Sequence, residues 1–230
     1  MASGPQAPDQ IIGRIAIWDW PVRICHWLFV LLIPLAWWTA DKHMFDWHLR
    51  IGLFLLLLLV FRLIWGVIGS STARFAGFIS GPREILLYLR GRWTRRIGHN
   101  PLGGWSVAAL LAVMLLQVGL GLFATDDDGL ESGPLNHLVD YDTAERITDL
   151  HHANFNLLLA LIGLHLAAIL FYAIVRRADL VRPIVTGRGK IEAGAEAQVE
   201  AMRPASAARL ATALALSFAL TWWIYAGAPL

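Results

Sequence analysis

The stretch HHANFNLLLALIGLH, residues 151–165, brackets an apolar helix face, Asn154 to Leu164, with histidines. His151 and His165 stand fourteen positions apart in a segment hydrophobic enough to cross a membrane. At 3.6 residues per turn, fourteen positions return a side chain to within about 40° of its starting azimuth, about 21 Å further along the axis. Two imidazoles therefore share one helix face at two depths. An imidazole in hydrocarbon is costly unless partnered, and a metal cofactor at each depth is the natural partner. His152 competes for the outer position, but thirteen positions put it about 140° away from His165, so His151 is the better aligned.

The rest of the chain fits a membrane setting. Apolar residues make up 57% of 230 residues, with 11 tryptophans and a mean hydropathy of +0.56, well above an ordinary soluble domain. Four stretches, 22–40, 47–68, 105–124 and 150–175, reach the roughly 20 apolar residues that a span needs. A fifth, 210–226, is shorter. The fold class expected is an all-α membrane protein, a four-helix transmembrane bundle plus a fifth C-terminal transmembrane helix. The domain division expected is a bundle over 1–190, a linker over 191–206 and the additional helix over 207–230. The Gly-, Ala- and charge-rich stretch from Thr186 to Ser206 reads as flexible connection. The opening MASGPQAPDQ lacks the basic and apolar regions of a signal peptide. The single cysteine, Cys25, excludes an internal disulfide and a CxxCH attachment site; a small buried hydrophobe is its plainest reading.

A pI near 9.0 can signal nucleic acid, but the basic residues here are laid out as topology signals. Arg74, Arg83, Arg90, Arg92, Arg95 and Arg96 follow the second span; Arg176, Arg177, Arg182, Arg188, Lys190 and Arg203 follow the fourth; Arg14 and Arg23 flank the first. The alternate loops carry mainly Lys42 and Arg146. This places the N-terminus and the Arg-rich loops in the cytoplasm of a multi-pass protein and leaves no role for nucleic acid. The stretch PREILLYLRGRW, 82–93, reads as an amphipathic segment lying in the interface. Asn100 and Pro101 read as the cap and first turn of the third span. The outer loop, 125–149, is acidic (Asp126, Asp127, Asp128, Glu131, Asp140, Asp142, Glu145, Asp149) and is either plain solvated surface or a docking face for a basic partner.

With that topology the histidines match by depth. His26 starts the first span, which runs inside to outside, and lies level with His165. His48 starts the second, which runs back, and lies level with His151. Two bis-imidazole sites result. Zinc usually wants four protein ligands, whereas haem brings four equatorial nitrogens and needs only two axial ones. The expected cofactors are two non-covalent haems b, with iron ligand pairs His26/His165 and His48/His151. Two histidines per iron leave no open position, which suits single-electron transfer. Gly119, Gly121 and Gly163 offer close approach for a flat ring or plain helix packing. Arg62, near the inner end of the second span, either pairs with a propionate or snorkels to the interface. His43, His99 and His137 read as surface or capping residues, with quinone contact a lesser reading for His43 and His99.

The segments IWDWPVRICHWLFVLL, WHLRIGLFLLLLLVFRLIWGVIGS, GHNPLGGW and LHHANFNLLLALIGLHLAA resemble the bacterial cytochrome b561 family, which is related to the cytochrome b subunit of membrane-bound nickel–iron hydrogenases. The resemblance runs from about Ile15 to Lys190. It implies a four-helix bundle in the bacterial cytoplasmic membrane, two b-type haems on His26, His48, His151 and His165, and electron exchange with quinone. It implies no catalytic side chain. The redox partner on the periplasmic side would be a hydrogenase, another dehydrogenase or a c-type cytochrome. Relatives also suggest a stand-alone superoxide oxidase that reduces quinone, and the third class open to the sequence is a non-redox transporter or assembly protein. Many relatives carry Glu at the place of His152, and the fifth span lies outside the family core.

Overall fold

A computed structural model describes residues 11–93, 97–126, 129–192, 199 and 202–228. The first ten residues, read above as unlike a signal peptide, lie outside the described residues, as do 193–198, 200 and 201 of the expected linker. The chain runs β1 (Ile11–Ala16), α1 (Trp20–Asp41), α2 (Phe45–Ile68), α3 (Phe75–Phe78), α4 (Pro82–Leu89) and α5 (Pro101–Gly121). A short 3-10 turn, Asn136–Leu138, leads into α6 (Tyr141–Ile174), α7 (Val181–Thr186), β2 (Arg188–Glu192) and a last helix, α8 (Ala207–Tyr225).

Five of these helices, α1, α2, α5, α6 and α8, are long and apolar enough to cross a membrane. Their starts are written in side chains. Asp19 Oδ1 accepts from Val22 N at 3.0 Å, Asn100 Oδ1 from Gly103 N at 2.7 Å, and Asp140 Oδ1 from Thr143 N at 2.9 Å, each meeting a backbone donor that the first turn leaves unpaired. The cap at Asn100 and Pro101 is the one expected. α6 begins nine residues earlier than its apolar stretch, because Asp140 caps two polar turns that hydropathy alone does not see.

The axis of the molecule is α2. Leu55, Leu58, Leu59, Phe61 and Trp65 are buried along it, and it packs against α1 on one side, α5 on another and α8 on a third. α6 packs chiefly on α5. α8 comes close because it presents small residues: Ala213 and Ser217, one turn apart, are both 0% exposed, and the Ser217 hydroxyl donates to the Ala213 carbonyl at 2.6 Å rather than to lipid. Trp20, Trp37, Trp38, Trp47, Trp105, Trp222 and Trp223 stay exposed near helix ends, where amphipathic rings suit a membrane–water interface.

The two ends of the bundle differ. At one, α1 starts, α2 and α6 finish, and β1 pairs antiparallel with β2, from Ile11 opposite Glu192 to Ala16 opposite Arg188; we refer to it as the ribbon end. At the other, the α1–α2 turn meets the α5–α6 loop. The ribbon corrects the reading of the chain from Thr186 onward as flexible connection: β2 is ordered by backbone pairing with a strand some 170 residues away. Its turn is also clamped to α1. The Gly187 carbonyl accepts from Ile17 N at 2.8 Å and Trp18 N at 3.2 Å, Trp27 Nε1 donates to Ile184 O at 3.3 Å, and Arg23 Nη2 donates to Val185 O.

One carboxylate ties this end together. While Asp19 Oδ1 caps α1, its Oδ2 accepts from Trp65 Nε1 at 2.9 Å and from the Ser70 hydroxyl at 2.7 Å. Asp19→Ala removes all three bonds. Denaturant unfolding followed by circular dichroism should then show a loss of at least about 3 kcal/mol, against about 1 kcal/mol for a cap alone. A loss no larger than the cap value would mean that the Trp65 and Ser70 bonds add nothing.

Candidate functional site

The histidines that the sequence singles out gather at two levels. Near the end away from the ribbon, His48 sits in the first turn of α2 and His151 on α6, with ring centroids 6.2 Å apart and planes 83° to each other. His48 Nδ1 lies 2.9 Å from the Ala36 carbonyl of α1, and His151 Nδ1 lies 2.9 Å from the Gln117 carbonyl of α5. A carbonyl only accepts, so both Nδ1 atoms carry the proton and both Nε2 atoms keep a lone pair. A backbone carbonyl holding Nδ1–H is the arrangement that orients an imidazole as a metal ligand.

The seat for His151 is built by α5, a helix that contributes no histidine of its own. A Cβ on Gly121 would stand 3.0 Å from His151 Cε1, closer than a relaxed contact, so the ring reaches the Gln117 carbonyl because position 121 has no side chain. The Gln117 amide completes the seat. Its Nε2 lies 3.0 Å from His151 Nε2, and its Oε1 accepts from Asn154 Nδ2 at 2.8 Å; that Asn154 nitrogen also donates to the Val113 carbonyl at 3.1 Å. Asn154 is buried, and its two bonds leave Gln117 presenting N–H to the imidazole. His152 is exposed, its ring 6.2 Å from that of His151. Gly119 and Gly163 face open space.

Toward the ribbon end, His26 on α1 lies within electrostatic range of His165 on α6. The region between the two levels is filled by Leu59, Leu111, Met114 and Leu158, with Phe29, Ile33, Phe155 and Ile162 around them. Around the lower level stand buried polar atoms with no hydrogen-bond partner among the described residues: His26 Nδ1, Arg62 Nη1 and His99 Nδ1. Arg62 is only 5% exposed, its guanidinium 5.0 Å from the centre of the Phe75 ring. Phe75 in turn packs on Gly66, where any Cβ would collide with the ring. The snorkelling reading of Arg62 is therefore corrected: the helix buries it a full turn before its end, and Phe75 closes the way out.

His99 is also corrected. It caps no helix and is half-buried, its ring wedged between Trp18 at 4.6 Å and Phe78 at 4.7 Å. Asn100, the next residue, takes the cap and also donates to the Tyr172 hydroxyl at 2.9 Å, which meets the Tyr88 hydroxyl of α4. Burial first, and then the charges of Arg62 and His165, push His99 down to about 4. His43 and His137 are exposed, as a surface role requires.

No group of three or more His, Cys, Asp or Glu among the described residues is arranged to hold a bare metal ion. Each level offers two imidazoles, which is what haem asks of a protein. Two metal–nitrogen bonds of about 2.0–2.1 Å plus two ring radii come to about 6 Å, close to the 6.2 Å between His48 and His151. At the lower level Arg62 Nη1 is a buried donor in want of an anion, and haem carries two carboxylates. The residues fit the group.

A family model described as prokaryotic cytochrome b561 matches residues 17–187. No curated protein and no solved structure matches the chain.

The site yields a pH dependence with a definite sign. A histidine held near 4 when folded and near 6.5 when unfolded binds more protons in the unfolded chain between those values, so stability falls as pH drops through that window. Replacing His99 with Phe, which suits the aromatic slot, should flatten the decline in melting temperature between pH 6.5 and 4. An unchanged slope in H99F would assign that decline to other groups.

Proposed function

The chain belongs to the prokaryotic cytochrome b561 family, and on that premise we propose that it is a di-haem b-type cytochrome passing electrons between a redox protein at one membrane face and the quinone pool. The observation that carries this reading is the two-level imidazole arrangement, with tautomers at the outer pair that leave a lone pair on each Nε2, that of His151 accepting from the Gln117 amide. His48 and His151 would hold one haem, His26 and His165 the other. Bound haem supplies one-electron exchange at iron. The rest is the protein's part. The Ala36 and Gln117 carbonyls hold Nδ1–H and make the imidazoles stronger donors to metal. His151 Nε2, which here accepts from the Gln117 amide, would hold the iron, and Asn154 would keep that amide anchored beside it. Arg62 would offset a propionate charge in the buried inner half, and the Leu59–Met114–Leu158 layer keeps water from between the two levels.

The charge around the outer level bears on the partner. Glu131, Asp140, Asp142, Glu145 and Asp149 are exposed on the loop and the first turns of α6. Such a surface repels superoxide and other small anions and favours a basic redox protein. This supports an electron-transfer subunit, served by a hydrogenase, dehydrogenase or c-type cytochrome, over a stand-alone superoxide oxidase. The orientation proposed puts the ribbon end in the cytoplasm of the bacterial inner membrane, with the arginines around it following the positive-inside pattern.

A reduced-minus-oxidised spectrum of the purified chain, scored against protein, should show two b-type haems. Their absence from a folded preparation would sink the reading. His165→Ala should lose one haem and keep the other; His151→Ala should lose the outer haem while His152→Ala keeps both, and the reverse pattern at 151 and 152 would exchange that ligand assignment. Gly121→Val, which pushes the His151 ring off its carbonyl, should lower occupancy or shift the midpoint potential of the outer haem alone. Equal effects on both haems would mean that Gly121 serves packing in general.

A further inference from the structure

One feature of the ribbon end lies outside the haem reading and is independent of it. Cross-strand partners and alternate residues share a face of a two-stranded ribbon. The register sets Ala16 opposite Arg188 and Arg14 opposite Lys190, so Arg14 and Arg188 fall on one face. α7 brings Arg182 and Thr186 to the same place, and Arg14, Arg182, Thr186 and Arg188 line a cavity of ≈ 400 Å³. Among the described residues no carboxylate forms an ion pair with any of the three guanidiniums. Thr186 fixes their origins: its hydroxyl donates to the Arg182 carbonyl at 2.8 Å and accepts from Arg188 N at 3.2 Å, locking the last turn of α7 onto β2. Three like charges converging on one cavity repel one another until an anion joins them.

The cavity's position narrows the choice of anion. The Ile184–Gly187 turn is bonded to Ile17, Trp18, Arg23 and Trp27, so the cavity sits beside the first turns of a membrane-spanning helix, at headgroup depth. Leu180, Val181 and Val185, flanking Arg182, are exposed apolar side chains that offer ground to an acyl chain and nothing to a free ion. We propose that this cavity binds the phosphate of an anionic phospholipid. Guanidinium forks match phosphate oxygens two at a time, and basic pockets beside transmembrane helices are suited to anionic headgroups.

The test uses the full chain in detergent, with phosphatidylglycerol, phosphatidylcholine and inorganic phosphate as probes, and bound lipid counted by native mass spectrometry. Wild type should retain one phosphatidylglycerol per chain, with at least about tenfold preference over phosphatidylcholine. The triple variant R14Q/R182Q/R188Q should lose about tenfold in retention, whereas R83Q/R90Q, which removes the arginines at the two ends of α4, should retain lipid like wild type. R182K/R188K keeps the charge but not the fork and should fall between, and it guards against a triple variant that fails to fold, which helix content by circular dichroism would reveal. Equal losses in the triple and the α4 variants would mean diffuse adsorption and overturn the site. Displacement by inorganic phosphate with no preference between the two lipids would make it a free-anion site and overturn the lipid assignment.

Discussion

A polar group carried into hydrocarbon has to be satisfied from within the protein, and the interior of this bundle is organised by that constraint. Thr39 turns its hydroxyl back to the Leu35 and Ala36 carbonyls, Ser217 to that of Ala213, and Asn154 to Val113 and Gln117. His48 and His151 spend Nδ1–H on a neighbouring helix. These are also the contacts that fix how the helices are rotated against one another. A quarter turn of α6 on its axis would cost the His151–Gln117 and Asn154–Val113 bonds together. Packing of leucines, being non-directional, sets the distance between helices; these polar contacts set the rotation.

The same rule separates the two levels. The outer histidines are met by the protein on their Nδ1 side, while around the inner pair His26, His99 and Arg62 keep buried atoms with no partner among the described residues. Native interiors hold few such atoms, and on the di-haem proposal a propionate would answer the charge of Arg62. On that proposal the inner level would be shaped by what it holds, and the outer one more by its own side chains.

What the sequence discloses follows from how local each signal is. The spans, the cap at Asn100 and the alignment of His151 over His152 rest on patterns within one helix. The meeting of His48 with His151 follows from counting turns through successive spans. The β1–β2 ribbon has no such signature, because each strand is short and its partner lies across four spans. Arg62 and His99 escape for a related reason: whether an arginine near a helix end reaches water depends on Phe75 lying across it, and whether a loop histidine is buried depends on Trp18 and Phe78. Asn154 and Gln117 did carry a signal. Amides inside apolar spans are costly, and Asn154 falls three residues after His151, on the same face.

The ribbon also bears on the order of assembly. Chains emerge from the ribosome at about 5–20 residues per second, so β1 waits on the order of ten seconds or more for β2. During that interval α1 and α6, which carry His26 and His165, are joined only through the helices between them. Pairing of Arg14 with Lys190 and of Ala16 with Arg188 then closes the circuit. The strand that follows the four-helix core thus fastens the one that precedes it, and the two ends of that core are joined only after all four of its helices have been synthesised.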